Sequence, residues 1–417
     1  MKRSIFPLLA AGLMSWCALA AAEPKVTMTS LVPREKIALT IYNPMVSLIQ
    51  EQREVSLAEG ANEFRVDWAG VDVDRGSVRL MPLAGAAEVD IRDAVLPQGD
   101  ANTIIWHLEA KKGGTYPVSL SYYVRGFSWN ADYVLTVDDA EKNLWLKAWA
   151  NITNGSGESY PEADVRLVMG DIRLLSAGGP PAAPMALGAQ SAERAAPARG
   201  ADTETAFERE GFAEYTFYAL DRPESLDAGD TKRIALAASA AIPLRKVYTY
   251  DPNRFGNNVA MEYWVENKAE HKLGPMPPGL VRAYRQEDDG RLSLLGEDML
   301  SYVPLGETAK IYLGNAHNII VESIQTDYQR KDEQWAPDKS RLVRYSEEQG
   351  QKVTVKNRKA NDVELIVRQY MPADAELVSA DPEPERPQLG VLEWKLKLPA
   401  GGERVFTYRT RRTVYNK

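Results

Sequence analysis

Lys36-Ile37-Ala38-Leu39-Thr40-Ile41-Tyr42 places Ile, Leu and Ile at every second position. Successive side chains of a strand leave opposite faces, so this spacing predicts a half-buried β-strand and not a helix of period 3.6. The alternation returns in Glu63-Phe64-Arg65-Val66-Asp67-Trp68 and in Ser77-Val78-Arg79-Leu80. It continues over 117–124, 133–137, 144–150 and 164–168, with Gly60-Ala61-Asn62, Pro97-Gln98-Gly99-Asp100 and Asn154-Gly155 as the turns between. Strands resume at 214–218, 246–250, 260–265, 280–284, 310–313 and 319–321. A closing series runs through 341–345, 352–356, 363–367, 391–398 and 404–408, past the Pro-rich loop Asp381-Pro382-Glu383-Pro384. Short strands at this spacing predict an all-β fold of several β-sandwich modules, the last of them immunoglobulin-like.

Composition shifts suggest the boundaries. Residues 1–22 read as a leader, 23–112 as an N-terminal β domain, 113–330 as a central β-rich domain, and 335–417 as the C-terminal sandwich. The stretch 176–208 holds Gly178-Gly179-Pro180-Pro181, Pro184, Pro197 and many alanines without an apolar period, so it predicts a flexible insertion in the central domain. Three strands end alike in an asparagine, at Asn154, Asn267 and Asn357, and a second strand follows each. Asn bonds its own backbone and tolerates turn geometry, so these positions suggest one recurring strand–turn device.

The leader opens on Lys2 and Arg3, continues as an apolar run to Ala20, and offers Ala18-Leu19-Ala20 and Ala20-Ala21-Ala22 for cleavage. That pattern predicts a secretory signal peptide cut near Ala20 to Ala22, and a periplasmic mature protein. Trp16 precedes Cys17, which does not fit lipidation, and no later run reaches the roughly 20 apolar residues of a spanning helix. Cys17 is the one cysteine, so the mature chain is expected to hold no disulfide and no Cys-ligated zinc.

The chain has 417 residues, 44% hydrophobic and 26% charged, which supplies a large core and suggests two to four domains. Its 50 Lys and Arg against 58 Asp and Glu give a net −8, which argues against nucleic acid as a partner. With histidine only at 107, 271 and 317, no metal or other cofactor is expected. No His-Glu-x-x-His, Gly-x-Ser-x-Gly, phosphate loop or dinucleotide fingerprint occurs. Asp72-Val73-Asp74 lacks the acidic residue at position 12 of a calcium loop, where Leu83 stands, and reads as an ordinary turn. Trp129, Trp145 and Trp394 are assigned to the core, and no acidic pair stands out by context.

Tyr122-Tyr123-Val124-Arg125-Gly126-Phe127-Ser128-Trp129-Asn130-Ala131-Asp132-Tyr133 is the most distinctive segment. It resembles the Y-x-v-x-g-x-x-W-x-a-x-Y core of the mucoidy inhibitor A-like family of secreted bacterial proteins, built on a domain of unknown function. Asn154 with Gly157-Glu158, the 164–167 strand, the 220–226 stretch, Leu273-Gly274-Pro275-Met276-Pro277-Pro278-Gly279 and 390–396 extend the resemblance over roughly 115–417. The resemblance implies a secreted β-rich protein and carries over no catalytic residue. Many members have a coiled-coil insertion in a longer N-terminal part, and no heptad stretch is visible here.

The expectation is a non-enzymatic interaction or scaffold protein of the cell envelope with a protein partner. The alternative is an envelope glycan-binding protein or glycan hydrolase with polysaccharide as its ligand. Trp129, Asn130 and Tyr133 are the candidate interaction or structural residues; no catalytic, cofactor-binding or metal-binding residue is assigned.

Overall fold

The computed structural model describes residues 25–28, 32–42, 46–83, 88–100, 102–170, 207–212 and 215–415. The predicted leader and positions 176–206 of the expected insertion lie outside these residues, as does Cys17. The described chain is almost entirely β, arranged as sandwich-like modules, and no helix in it is long and apolar enough to cross a membrane.

Five sheets result, with strands numbered along the chain. The first has the order β1 (Lys25–Met28), β4 (Gly60–Asp67), β7 (Thr103–Ala110) and β6 (Val89–Val95). The second runs β12 (Phe207–Phe212), β13 (Tyr215–Leu220), β11 (Tyr160–Met169), β2 (Lys36–Tyr42), β3 (Val46–Leu57), β8 (Gly114–Val124) and β5 (Val73–Pro82). In addition β14 (Glu224–Leu226) pairs with β11. The third runs β15 (Thr231–Pro243), β10 (Asn143–Asn154), β9 (Phe127–Val137), β18 (Gly279–Gln286) and β19 (Leu292–Leu300). The fourth runs β20 (Thr308–Asn315), β17 (Val259–Glu266), β16 (Arg245–Tyr250), β23 (Val363–Tyr370) and β25 (Val391–Leu398). The fifth runs β21 (Ile319–Trp335), β22 (Leu342–Asn357), β26 (Glu403–Tyr415) and β24 (Ala375–Asp381).

The alternation acts as its spacing dictates. In β2, Ile37, Leu39 and Ile41 are buried while Lys36 is exposed. The first three sheets share one apolar core; the fourth and fifth close a second around Trp394, whose ring lies 4.8 Å from Phe406 and 5.4 Å from Tyr408. The fourth sheet serves both cores. Tyr263 and Ile311 face the first, Tyr248 and Leu365 the second, so its strands come from both sides of residue 330.

The three asparagines do the same job. Each is buried, and each amide Nδ2 donates to backbone carbonyls: Asn154 to Glu158 and Leu226, Asn267 to Gly274, Val303 and Pro304, Asn357 to Asn361, Leu398 and Pro399. Buried carbonyls at a strand end need donors that the ladder no longer supplies, and one amide serves several.

Two sequence expectations need correction. The stretches 341–345 and 352–356 are not separate strands but the two ends of β22. Trp145, assigned to the core, is 42% exposed: it alternates with the buried Leu144 and Leu146 and so faces solvent.

Candidate functional site

The Tyr122–Tyr133 motif builds a corner. Gly126 has φ +103 and lies so close to Gly155 that a Cβ would stand 2.6 Å from the Gly155 carbonyl. The Gly155 N–H donates to the Gly126 carbonyl at 2.8 Å, so no side chain fits at this crossing. Ala131 meets Gly279 where β9 and β18 run parallel, and a Cβ on Gly279 would stand 2.2 Å from the Ala131 carbonyl. Trp129 is buried, donates from Nε1 to the Val168 carbonyl at 3.3 Å and meets Tyr218 edge-on at 6.0 Å. Tyr133 is buried and donates to the Pro277 carbonyl at 2.6 Å, as Tyr218 does to the Pro275 carbonyl at 2.9 Å. Two aromatic hydroxyls, one from β9 and one from β13, thus hold the Pro275-Met276-Pro277 segment. Asn130 is exposed, and its Nδ2 lies 3.4 Å from the Ala131 carbonyl. Tyr122, at the start of the motif, donates to Glu51 at 2.6 Å. Burial first, then the Glu51 carboxylate, push its phenol well above the ordinary value.

A second concave surface lies elsewhere, where the third and fourth sheets meet. It encloses about 670 Å³ between β19 and β20, walled by Arg254, Phe255, Trp264, Met299, Tyr302 and Lys310 among others. The wall that carries Arg254 and Phe255 is anchored by a buried carboxylate. Asp251 caps the short helix α1 (Pro252–Phe255) by accepting from the Asn253 and Arg254 amides. It also accepts from Arg368 at 3.1 Å and from the Tyr370 hydroxyl at 2.8 Å. Burial first, then that hydrogen bond, raise the Tyr370 phenol. So fixed, α1 stacks Phe255 on Tyr312 at 5.1 Å and lays Arg254 over the Phe255 ring at 4.6 Å. Arg254 reaches Glu262 at 3.5 Å, and Glu262 also accepts from Thr249 at 2.8 Å and from the Trp264 indole at 3.1 Å. Lys310 sits 4.3 Å above the Trp264 ring, within cation–π range. Met299, 67% exposed, and Tyr302, 43% exposed, form the rim.

This surface stacks, donates and pairs charge. Asp298 accepts the Met299 amide at 2.9 Å and the Tyr312 amide at 2.7 Å, which holds it as a backbone cap. Buried carboxylates elsewhere face cations: Glu51 meets Arg53 and Arg34, and Asp132 meets Arg233 and Arg282. Among the described residues no group of three or more His, Cys, Asp or Glu comes together around a common point. Asp74 accepts the Gly76 amide at 3.0 Å, the turn its sequence suggested.

From the sequence, Trp264, Lys310 and Tyr312 are strand residues, and no groove residue is assigned to a site. A signal was present in Glu262-Tyr263-Trp264-Val265, whose alternation buries Tyr263 and Val265 and turns Trp264 to the other face.

The family model described as "Domain of unknown function (DUF4139)" matches residues 118–414. No curated protein matches the chain. The match takes in the Trp129–Tyr133 corner, every groove residue and the C-terminal sandwich, and the chain therefore belongs to the DUF4139 family.

Proposed function

We propose that this is a secreted, periplasmic, non-enzymatic protein of the cell envelope that holds a protein partner in the groove between β19 and β20. The observation that carries the reading is the groove itself: about 670 Å³, aromatic walls, and an exposed Met299 and Tyr302 at the rim. Monomeric surfaces seldom leave large apolar side chains around a concavity unless something covers them. The leader pattern supports export. The resemblance to the mucoidy inhibitor A-like family supports a role at the envelope.

The test is a crosslinking pull-down of the tagged mature chain from envelope fractions, beside a Met299→Ala/Tyr302→Ala variant. Both side chains are exposed, so the variant keeps its fold. One dominant protein partner, lost in the variant, is the expected result. A partner kept by the variant overturns the groove assignment. Recovery of polysaccharide alone, lost in the variant, replaces the protein partner with a glycan stacked on Trp264 and Tyr302. Trp129, buried in its corner, is unsuited to such a test.

A further inference from the structure

We infer that the groove takes its partner as an extended peptide, added as a strand to the free edge of β20; the inference rests on the groove being the partner site. β20 ends the fourth sheet, paired with β17 on one side and, among the described residues, with no strand hydrogen-bonded as a ladder on the other. In an antiparallel ladder a residue's N–H and C=O turn to the same side, and the sides alternate along the chain. The parity of β20 is fixed at both ends. The Glu307 carbonyl accepts from the Asn267 amide at 2.8 Å, so odd positions face β17. The Tyr312 amide donates outward to Asp298 at 2.7 Å, so even positions face away. Thr308 and Lys310 therefore turn both backbone groups into the groove, and among the described residues no hydrogen bond reaches any of the four.

The open stretch is bounded. Asp298 occupies the edge at Tyr312, and Gly296 lies against Leu313, where a Cβ would meet the Leu313 carbonyl at 2.7 Å. What remains is a segment with two outward residues about 6.8 Å apart, the repeat of a strand. An extended peptide matches such donor–acceptor pairs with its own backbone, which a sugar ring does not. The charges add a preference. Among the described residues neither Lys310 nor Glu307 enters an ion pair, though both line the groove. The matching peptide carries an acidic residue for Lys310 and a basic one for Glu307, with an apolar side chain between Met299 and Tyr302.

The test pans a displayed library of random dodecapeptides against the mature chain and measures the selected peptides in solution. Two variants separate backbone from charge. Lys310→Pro deletes one outward N–H and leaves the β17 ladder intact, a substitution edge strands accept. Lys310→Glu keeps the backbone and reverses the charge. Peptides with a common acidic position are expected, weakened about tenfold or more by either variant, with an acid-to-lysine peptide regaining affinity for Lys310→Glu. In the unaltered protein the Thr308 and Lys310 amides exchange more slowly when peptide is bound, a readout that does not depend on the Pro variant folding. Selected peptides that leave those two amides unprotected overturn strand addition, and so does a library that yields no binder. If either happens while the envelope partner is still lost on Met299→Ala/Tyr302→Ala, the groove reading stands and only the mode of binding falls.

Discussion

The fifth sheet is built twice over from the same three strands. Near the Asn357 end of β22 the layer beneath is apolar: Val353 and Val355, with Phe406 and Tyr408 of β26 and Trp394 of the facing sheet. Toward the Leu342 end the pairing with β26 continues unbroken and that with β21 continues through register shifts after Gln325 and Lys331, but the buried members of that core stop. Glu348 takes their place. It is buried, and it meets Lys331 of β21 at 2.6 Å and Arg411 of β26 at 2.5 Å, with Arg409 at 3.9 Å. Gly350 leaves room for Arg409 to cross to Asp327 at 2.7 Å. One ladder thus runs over two kinds of floor. Backbone pairing sets the shape of the sheet in both halves, while side-chain chemistry sets how each half responds to deletion, to shape-matched exchange and to acid.

The largest effect is expected from breaking the apolar half. Trp394 is 2% exposed and donates from Nε1 to the Pro382 carbonyl at 2.7 Å. Trp394→Ala leaves a cavity among Phe406 and Tyr408, and is expected to cost about 3–5 kcal/mol in urea denaturation. Trp145→Ala, of the same size but on a solvent face, is expected to stay within about 0.5 kcal/mol. Equal losses at the two sites would mean that burial does not separate them.

The sequence disclosed these halves unequally, for a physical reason. Apolar alternation is a record of what an oily core demands, so 352–356 and 391–398 were legible as strands. The stretch Ser346-Glu347-Glu348-Gln349-Gly350-Gln351 carries no such record, because its buried face is satisfied by charge from two neighbouring strands. It therefore reads as a break where the chain runs straight. Trp145 is a different case: the parity of Leu144-Trp145-Leu146 points it outward, and position outweighs residue type. The recurring asparagines were legible because each device is local, a strand end and its own turn. The groove was not, since Phe255, Trp264, Met299 and Lys310 come from four elements that only the sheet order brings together.

Asn357 closes the apolar half, and its amide tests whether the recurring device is a matter of shape or of donors. Asn357→Asp keeps the size and replaces the Nδ2 donor by an oxygen. The Asn361, Leu398 and Pro399 carbonyls then lose their partner inside a buried corner. Leaving buried acceptors unmet is expected to cost about 1–3 kcal/mol, less than the tryptophan, and to recur at Asn154. If Asn357→Asp unfolds at the same urea concentration as the unaltered protein, the corner is held by shape and the shared hydrogen bonds are incidental.

The smallest effect on overall stability, and the sharpest contrast between the halves, lies in pH. Hydrogen bonds from Lys331 and Arg411 hold the Glu348 carboxyl below its ordinary value, and the bond from Arg409 does the same for Asp327. A carboxyl whose value is lowered in the closed ladder takes up its proton more readily when the ladder opens. Its contribution is therefore complete above the ordinary glutamate value of about 4.3 and is lost as pH falls through the lowered one. Amide exchange, corrected for its intrinsic pH dependence, is expected to show 342–350 losing protection in that window while 353–357 keeps it. Glu348→Gln removes the titrating group, so the profile over 342–350 should flatten while its protection at neutral pH falls. An acid response that survives Glu348→Gln and disappears with Asp327→Asn would move the origin two residue pairs along the ladder, to the Arg409 crossing at Gly350. A response that survives both would show that the charged floor does not govern 342–350, and would leave backbone pairing as the common support of the two halves.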